Sequence, residues 1–140
     1  MPMNAPALRD AALLIFRVVV GIIFVAHGYN TLFMGGISHA YGQFSQWHVP
    51  QPKLSVWVTA LGELIGGAVL ILGLLTSIVA GLLGLLMIGA GYFAHRHNGF
   101  FITQGGFEYV ALLAASCLLI VVFGPGRASL DGVLTRDDQP

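Results

Sequence analysis

The sequence predicts an all-α integral membrane four-helix bundle, up-down-up-down with short loops, and three observations carry that reading. Of 140 residues, 56% are hydrophobic and only 9% are charged, with a mean hydropathy of +0.84. Soluble domains carry about 25% charged residues, so a chain this charge-poor would not stay dissolved. The apolar residues also gather into four runs of a length suited to crossing a bilayer, which takes about 20 residues. Six Lys or Arg balance six Asp or Glu, which leaves no electrostatic footprint for nucleic acid. The composition is the reverse of a disordered chain. Four spans use up the length, so residues 1–140 are expected to form a single transmembrane domain with no added soluble domain.

Turn residues and charges place the elements. After a short head, Met1 to Asp10, the first span covers about 11–33 and is apolar except for Arg17 and His27. Its apolar core is too long for a cleaved signal peptide and no small-x-small cleavage site follows, so it reads as a retained span. A Gly-, His- and aromatic-rich stretch runs from Met34 to Lys53, with Pro50 and Pro52 near its end. Phe44, Trp47 and Trp57 bracket it at headgroup level, and a short interfacial helix around Tyr41–His48 would form a lid over that end of the bundle. The second span, about 54–75, is interrupted only by Glu63. Thr76 and Ser77 turn into the third, about 77–95, which His95, Arg96, His97 and Asn98 close. The fourth, about 106–123, carries Glu108 near its start, and Gly124, Pro125, Gly126 and Arg127 form a helix-stop motif before a polar tail. Arg9, Arg127 and Arg136 on the terminal side outnumber Lys53 and Arg96 on the other, which favours cytoplasmic termini.

Cysteine content narrows the chemistry. Cys117 is the only cysteine, so neither an intramolecular disulfide nor a Cys-x-x-Cys pair exists. Thiol exchange within one chain and a thiolate-held iron–sulfur cluster are thereby excluded. No haem or nucleotide motif is evident.

The informative residues are the ionisable ones within the spans. Each costs about 2.5–3.5 kcal/mol to insert at mid-helix, so Arg17, His27, Glu63 and Glu108 form the candidate site. Arg17, Gly21, Phe24, Gly28 and Thr31 recur on one helical stripe, with His27 beside it. Glu63 shares its face with Gly66, Gly67 and Leu70, and Gly62 with Gly66 makes a small-x-x-x-small pair that permits close helix approach. Glu108 shares a face with Ala111 and Ala115. At 1.5 Å per residue, His27 and Glu63 fall at similar depth on antiparallel neighbours, so a contact between them is expected. Glu108 is expected higher, near His95 and Arg96. Arg17 lies deeper, so a direct pair with Glu63 would need both side chains to stretch, and water or a third group could bridge them instead.

Three chemistries fit this constellation. A carboxylate and an imidazole at one depth relay protons or hydrogen-bond a quinone carbonyl. Two carboxylates with His95 or His97 would bind a divalent metal, but those histidines lack ligand spacing and no metal site is assigned. A Glu63–His27 pair would otherwise only fix helix register. A buried carboxyl stays neutral unless a cation or strong donors hold it charged. Arg17 also has the option of snorkelling to the interface. Cys117 reads as a small lipid-facing or packing residue, and Gly81, Gly84, Gly89 and Gly91 as close-packing positions.

Taken in order, these pieces resemble the DoxX family over nearly the full length. The matching residues are Arg17 with Gly21, His27-Gly28, and Pro50 before the second span. Then come Leu61-Gly62-Glu63-Leu64-Ile65-Gly66-Gly67 running to Leu72-Gly73-Leu74, Gly106-Phe107-Glu108-Tyr109, and Gly124-Pro125-Gly126-Arg127 with Ser129-Leu130-Asp131. The resemblance implies a four-helix bundle in a bacterial or archaeal plasma membrane, and association with quinone-linked oxidation. The chain departs at Asn30, where the family commonly has lysine.

Two functional classes follow. One is a membrane subunit or partner of a quinone-linked oxidoreductase system, with quinone as the cofactor to expect. The other is a non-catalytic scaffold that assembles other proteins. A small-solute transporter fits less well, because internal repeats and broken helices are not visible. The expected partners are the lipid bilayer, other membrane or membrane-associated proteins, and further copies of the chain through glycine-rich faces.

Overall fold

A computed structural model describes residues 6–137. The chain is all-α, with six α-helices among those residues: α1 (Pro6–Tyr29), α2 (Ile37–Gln46), α3 (Pro52–Leu72), α4 (Thr76–Ala90), α5 (Glu108–Phe123) and α6 (Leu130–Asp137). Single π-helical turns extend α1 over Asn30–Met34 and α4 over Gly91–His95. The continuous helices Pro6–Met34, Pro52–Leu72 and Thr76–His95 are long and apolar enough to cross a membrane, and Glu108–Phe123 is a shorter apolar helix. The architecture is therefore richer than four helices on short loops. α2 occupies the stretch between the first two apolar runs, and α6 occupies the segment expected to be a polar tail.

Local chemistry explains the boundaries. Pro52 opens α3 with a pre-set φ at a position whose N–H would be orphaned anyway. Gly73, at φ 73°, closes it: its N–H and that of Leu74 return to carbonyls of Val69 and Leu70. The turn into α4 is Gly73–Leu75, one step earlier than Thr76-Ser77, and Leu75 is itself left-handed at φ 48°. Ser129 caps α6, its Oγ accepting from the Gly132 N–H at 2.9 Å.

Packing is pairwise. α1 runs along α3, and α4 along α5, while a less extensive α3–α4 contact joins the pairs. The α1–α3 seam is glycine-dependent. A Cβ on Gly67 would sit 2.6 Å from the Gly21 carbonyl oxygen, and one on Gly28 would sit 2.7 Å from that of Ala60. In lipid, such close approach supplies the van der Waals contact that the hydrophobic effect does not. Gly62, by contrast, faces open space, and a Cβ on Gly66 would sit 3.2 Å from the Leu83 side chain. The core includes Val20, Phe24, Leu70, Leu83, Met87, Leu113, Cys117 and Ile120. Cys117 is 1% exposed, with its Cβ 3.2 Å from where a Gly84 Cβ would stand, so it packs inward and does not face lipid.

Candidate functional site

The four ionisable residues singled out in the sequence fall into three places. Arg17 lies at the α6-side end, 2% exposed. Its guanidinium donates to the backbone carbonyls of Pro125, Ala128 (3.0 Å) and Ile71 (3.3 Å). It thus holds the Gly124–Arg127 stop and the following segment against the last turn of α3, rather than snorkelling or approaching Glu63. Asp131 completes this latch. Its two carboxylate oxygens accept from the N–H groups of Leu75 and Thr76, each at 2.8 Å, and its own N–H donates to Gly73 at 2.8 Å. A carboxylate from α6 therefore caps the start of α4 and pins the left-handed Leu75, a conformation costing about 1–2 kcal/mol in an L-residue.

Burial alone would raise the Asp131 carboxyl. The N–H groups of Thr76 and Leu75 and the charge of Arg17 outweigh it, and hold the group below the ordinary carboxylate value. Two buried polar atoms in this region, Arg17 Nε and Thr76 Oγ1, have no hydrogen-bond partner.

Glu108 serves the α4–α5 connection. Its Oε1 accepts from the Ile102 N–H at 2.8 Å, and its N–H donates to the Phe100 carbonyl at 2.8 Å. His95 lies on the same connection: its Nδ1 donates to the Gly105 carbonyl at 2.8 Å, since a carbonyl only accepts. That bond leaves Nε2 of a neutral His95 ring as the acceptor.

His27 and Glu63 come together around a cavity at the α2-side end. The cavity holds about 470 Å³ and is lined by α1, α2, α3 and α4, including His27, Thr31, Gln43, Phe44, Trp47, Thr59, Glu63, Gly89, Phe93 and His95. That volume lies within the range of small-molecule sites, and an apolar lining with a few convergent polar groups is their usual make-up. The expected direct His27–Glu63 contact is not the one formed. His27 Nε2 instead bonds the Tyr109 hydroxyl at 3.2 Å, bridging α1 to α5. Glu63 is 8% exposed and makes no hydrogen bond or ion pair with another described residue. Its carboxyl, able to donate when protonated and accept when ionised, is left available to the cavity.

Sequence reasoning missed Tyr109 as the partner of His27. It also passed over a legible stripe: Ser55, Thr59 and Glu63 recur every four residues on α3, and all three line the cavity. The helix expected at Tyr41–His48 is α2, Ile37–Gln46, and it covers the cavity with Ala40, Gln43 and Phe44. Both π-helical turns border the same cavity, through Thr31 on one and Phe93, Ala94 and His95 on the other. Such turns concentrate at functional sites. Gly89 was expected to pack closely, but nothing lies within 4 Å of its Cβ position, and it lines the cavity instead. Among the described residues no group of three His, Cys, Asp or Glu is placed to hold a metal ion.

Apolar helices of spanning length, a glycine-sealed seam and a largely apolar cavity with a few polar groups define a small multi-span membrane protein with a site at one end. The DoxX family model matches residues 12–96, more than half of the chain, and the protein belongs to that family. The chain is similar to the "putative oxidoreductase CatD" of Bacillus subtilis, at 34% identity over 103 residues, covering 73% of this chain and 72% of that protein. An uncharacterised membrane protein of Mycobacterium tuberculosis is 31% identical over 130 residues, covering 86% and 79% of the two chains. An uncharacterised protein of Haemophilus influenzae is 32% identical over 131 residues, covering 91% and 94%. No solved structure matches the chain.

Proposed function

We propose that the protein is the membrane component of a quinone-linked oxidoreductase system, and that the cavity between α2, α3 and α4 receives the quinone head. One observation carries this reading: Glu63 and His27 line one aromatic-lined cavity of about 470 Å³, and His27 is bonded in turn to the Tyr109 hydroxyl. A quinone carbonyl needs donors, and its reduction takes up protons. A carboxyl and an imidazole–phenol pair at one depth supply both functions. The name of the Bacillus subtilis relative, "putative oxidoreductase CatD", supports the same direction.

In this reading the chain is one domain of four spans in a bacterial or archaeal plasma membrane. α5 has 16 residues, about 24 Å of helix, and packs along α4, so a modest local thinning lets it cross beside its neighbour. The three-to-two excess of basic residues on the terminal side supports cytoplasmic termini, and with them a cytoplasmic Arg17–Asp131 latch. The cavity then faces the opposite leaflet.

The test uses Trp47, which lines the cavity, as reporter, with the lipid-exposed Trp57 replaced. Trp57→Phe protein in nanodiscs is titrated with a tailless benzoquinone. Saturable quenching is expected, weakened roughly tenfold in Glu63→Leu, which removes a bond worth about 1.4 kcal/mol. Glu63→Gln keeps a donor but cannot pass a proton, so it should bind quinone while membranes carrying it lose quinone-linked turnover. Non-saturable quenching, or a titration that Glu63→Leu leaves unchanged, overturns the reading.

A further inference from the structure

The cavity has a side opening as well as a roof, and the helix geometry shows where. α3 and α4 are antiparallel and touch where the Gly66 Cβ position meets Leu83 at 3.2 Å. One to two turns toward α2 they have parted: nothing lies within 4 Å of the Gly89 Cβ position. The cavity fills this splay, with Glu63, Thr59 and Ser55 on one wall and Leu86, Ala90 and Ala94 on the other. It also reaches the outer surface. Leu54, Val58 and Leu85 line it, yet they are 63%, 56% and 66% exposed. The same lipid-facing stripes carry Leu61 and Ile65 on α3 and Leu82 and Ile88 on α4. Along the α3 axis from Pro52, Leu54 lies about 3 Å, Val58 about 9 Å and Glu63 about 16 Å in, so the opening runs from the headgroup boundary into the hydrocarbon.

We infer that this α3–α4 cleft is a lateral portal for a long-chain amphiphile with an uncharged, carbonyl-bearing head. The head passes between the helices to Glu63, and the hydrocarbon tail stays in the bilayer against Leu54, Val58 and Leu85. Two features set the ligand class. The polar groups lie at the inner end of the cavity and the lipid-exposed apolar ones at its mouth, which matches a molecule polar at one end only. No lysine or arginine is among the described lining residues, whereas a phosphate-bearing headgroup is ordinarily held by such cations. The inference rests on the quinone reading for the identity of the head. It adds that the ligand is tailed, that it arrives through lipid, and that it does so between these two helices.

The experiment maps the tail. The full chain in nanodiscs is photolysed with a long-chain quinone carrying a diazirine a few carbons from its ring, and adducts are located by peptide mass spectrometry. Adducts are expected on Leu54, Val58 and Leu85, competed by the unlabelled quinone. They should fall roughly tenfold in Gly89→Leu, equivalent to about 1.4 kcal/mol of lost occupancy. Gly89→Leu places bulk in open space, and its thermal unfolding is checked alongside. Competed adducts on Phe44 and Trp47 of α2 alone would show the tail leaving toward the aqueous end and overturn the portal. Adducts spread over all lipid-facing helices and not competed would overturn it as well. Saturable Trp47 quenching by the tailless quinone keeps the head-site reading alive in both cases. Labelling at the three portal positions that a long-chain ketone competes and quinones do not would retain the portal and refute the quinone.

Discussion

The two ends of the bundle treat buried polar groups in opposite ways. At the α6 end, Arg17 and Asp131 are bound to backbone groups of the turns they hold: three carbonyls for one and two N–H groups for the other. At the α2 end, Glu63 has no such partner and His27 has one, a phenol from another helix. A charged side chain whose terminal nitrogens donate to three main-chain carbonyls is a structural clamp. A carboxyl in hydrocarbon facing a cavity is not explained by folding, and its cost must be offset by what it does. The difference separates residues that look alike in the sequence, since Arg17 and Glu63 are both lone charges inside apolar runs.

The largest expected effect is at the clamp. Arg17→Leu leaves the carbonyls of Ile71, Pro125 and Ala128 without their donor, and each unpaired buried acceptor costs about 1–3 kcal/mol. Loss of about 3 kcal/mol or more is expected, read as a fall in folded yield and in the thermal midpoint in detergent, with earlier proteolytic cutting near Arg127. Arg17→Lys should recover little, because one ammonium cannot reproduce the guanidinium fork. If Arg17→Leu were as stable as the parent while Glu63→Leu collapsed, the roles assigned to the two ends would be reversed.

Next in size is the seam that sets the frame for both ends. Gly67→Ala places a methyl 2.6 Å from the Gly21 oxygen and 2.8 Å from the Val25 nitrogen, atoms of rigid backbone. α1 and α3 must separate, at a cost of about 1–3 kcal/mol. The thermal midpoint should fall, and saturable quinone quenching should weaken with it, since His27 and Glu63 stand on the two separated helices.

What the sequence reveals follows the same division. The apolar runs are legible because a bilayer forces every spanning backbone into long, uncharged helices, so length and composition suffice. The inward aim of Glu63 is legible from the glycines on its face. The partners of Arg17 are not: they are main-chain carbonyls, one of them 108 residues away, and a carbonyl has no side-chain signature. The His27–Tyr109 bond spans 82 positions and displaces the His27–Glu63 contact that depth alone suggests. Depth fixes height along the bundle but not which helix faces which. The splay of α3 from α4 depends on where glycine meets Leu83 and where it meets nothing, and both look the same in a glycine-rich run.

A smaller effect distinguishes the capping half of the clamp. Asp131→Asn keeps one acceptor and loses the charge, for an expected cost of about 1 kcal/mol in a group partly open to water. Its sign with pH is set by the lowered carboxyl. The stabilisation is fully present above the unfolded value of about 3.9 and is lost as pH falls through the lower folded value. The gap in thermal midpoint between parent and Asp131→Asn should therefore be widest near neutral pH and close on acidification. A gap that stays constant into strong acid would mean the carboxylate charge contributes nothing to capping α4.

The smallest effect reverses the sign. Gly89 is helical, has no left-handed φ, and faces the cavity with nothing within 4 Å. Gly89→Ala therefore adds a methyl to empty space and removes the glycine penalty, stabilising the fold by up to about 1 kcal/mol. The same substitution at Gly67, on a helix of similar composition, destabilises. Stability alone would favour alanine at Gly89, so the glycine there is a concession to open volume. If Gly89→Ala raised the thermal midpoint but left quinone quenching and portal labelling unchanged, that volume would be larger than the ligand uses. If it lowered the midpoint, α3 and α4 would approach more closely at this level than the cavity allows, and the contrast between a closed and an open end would lose its basis.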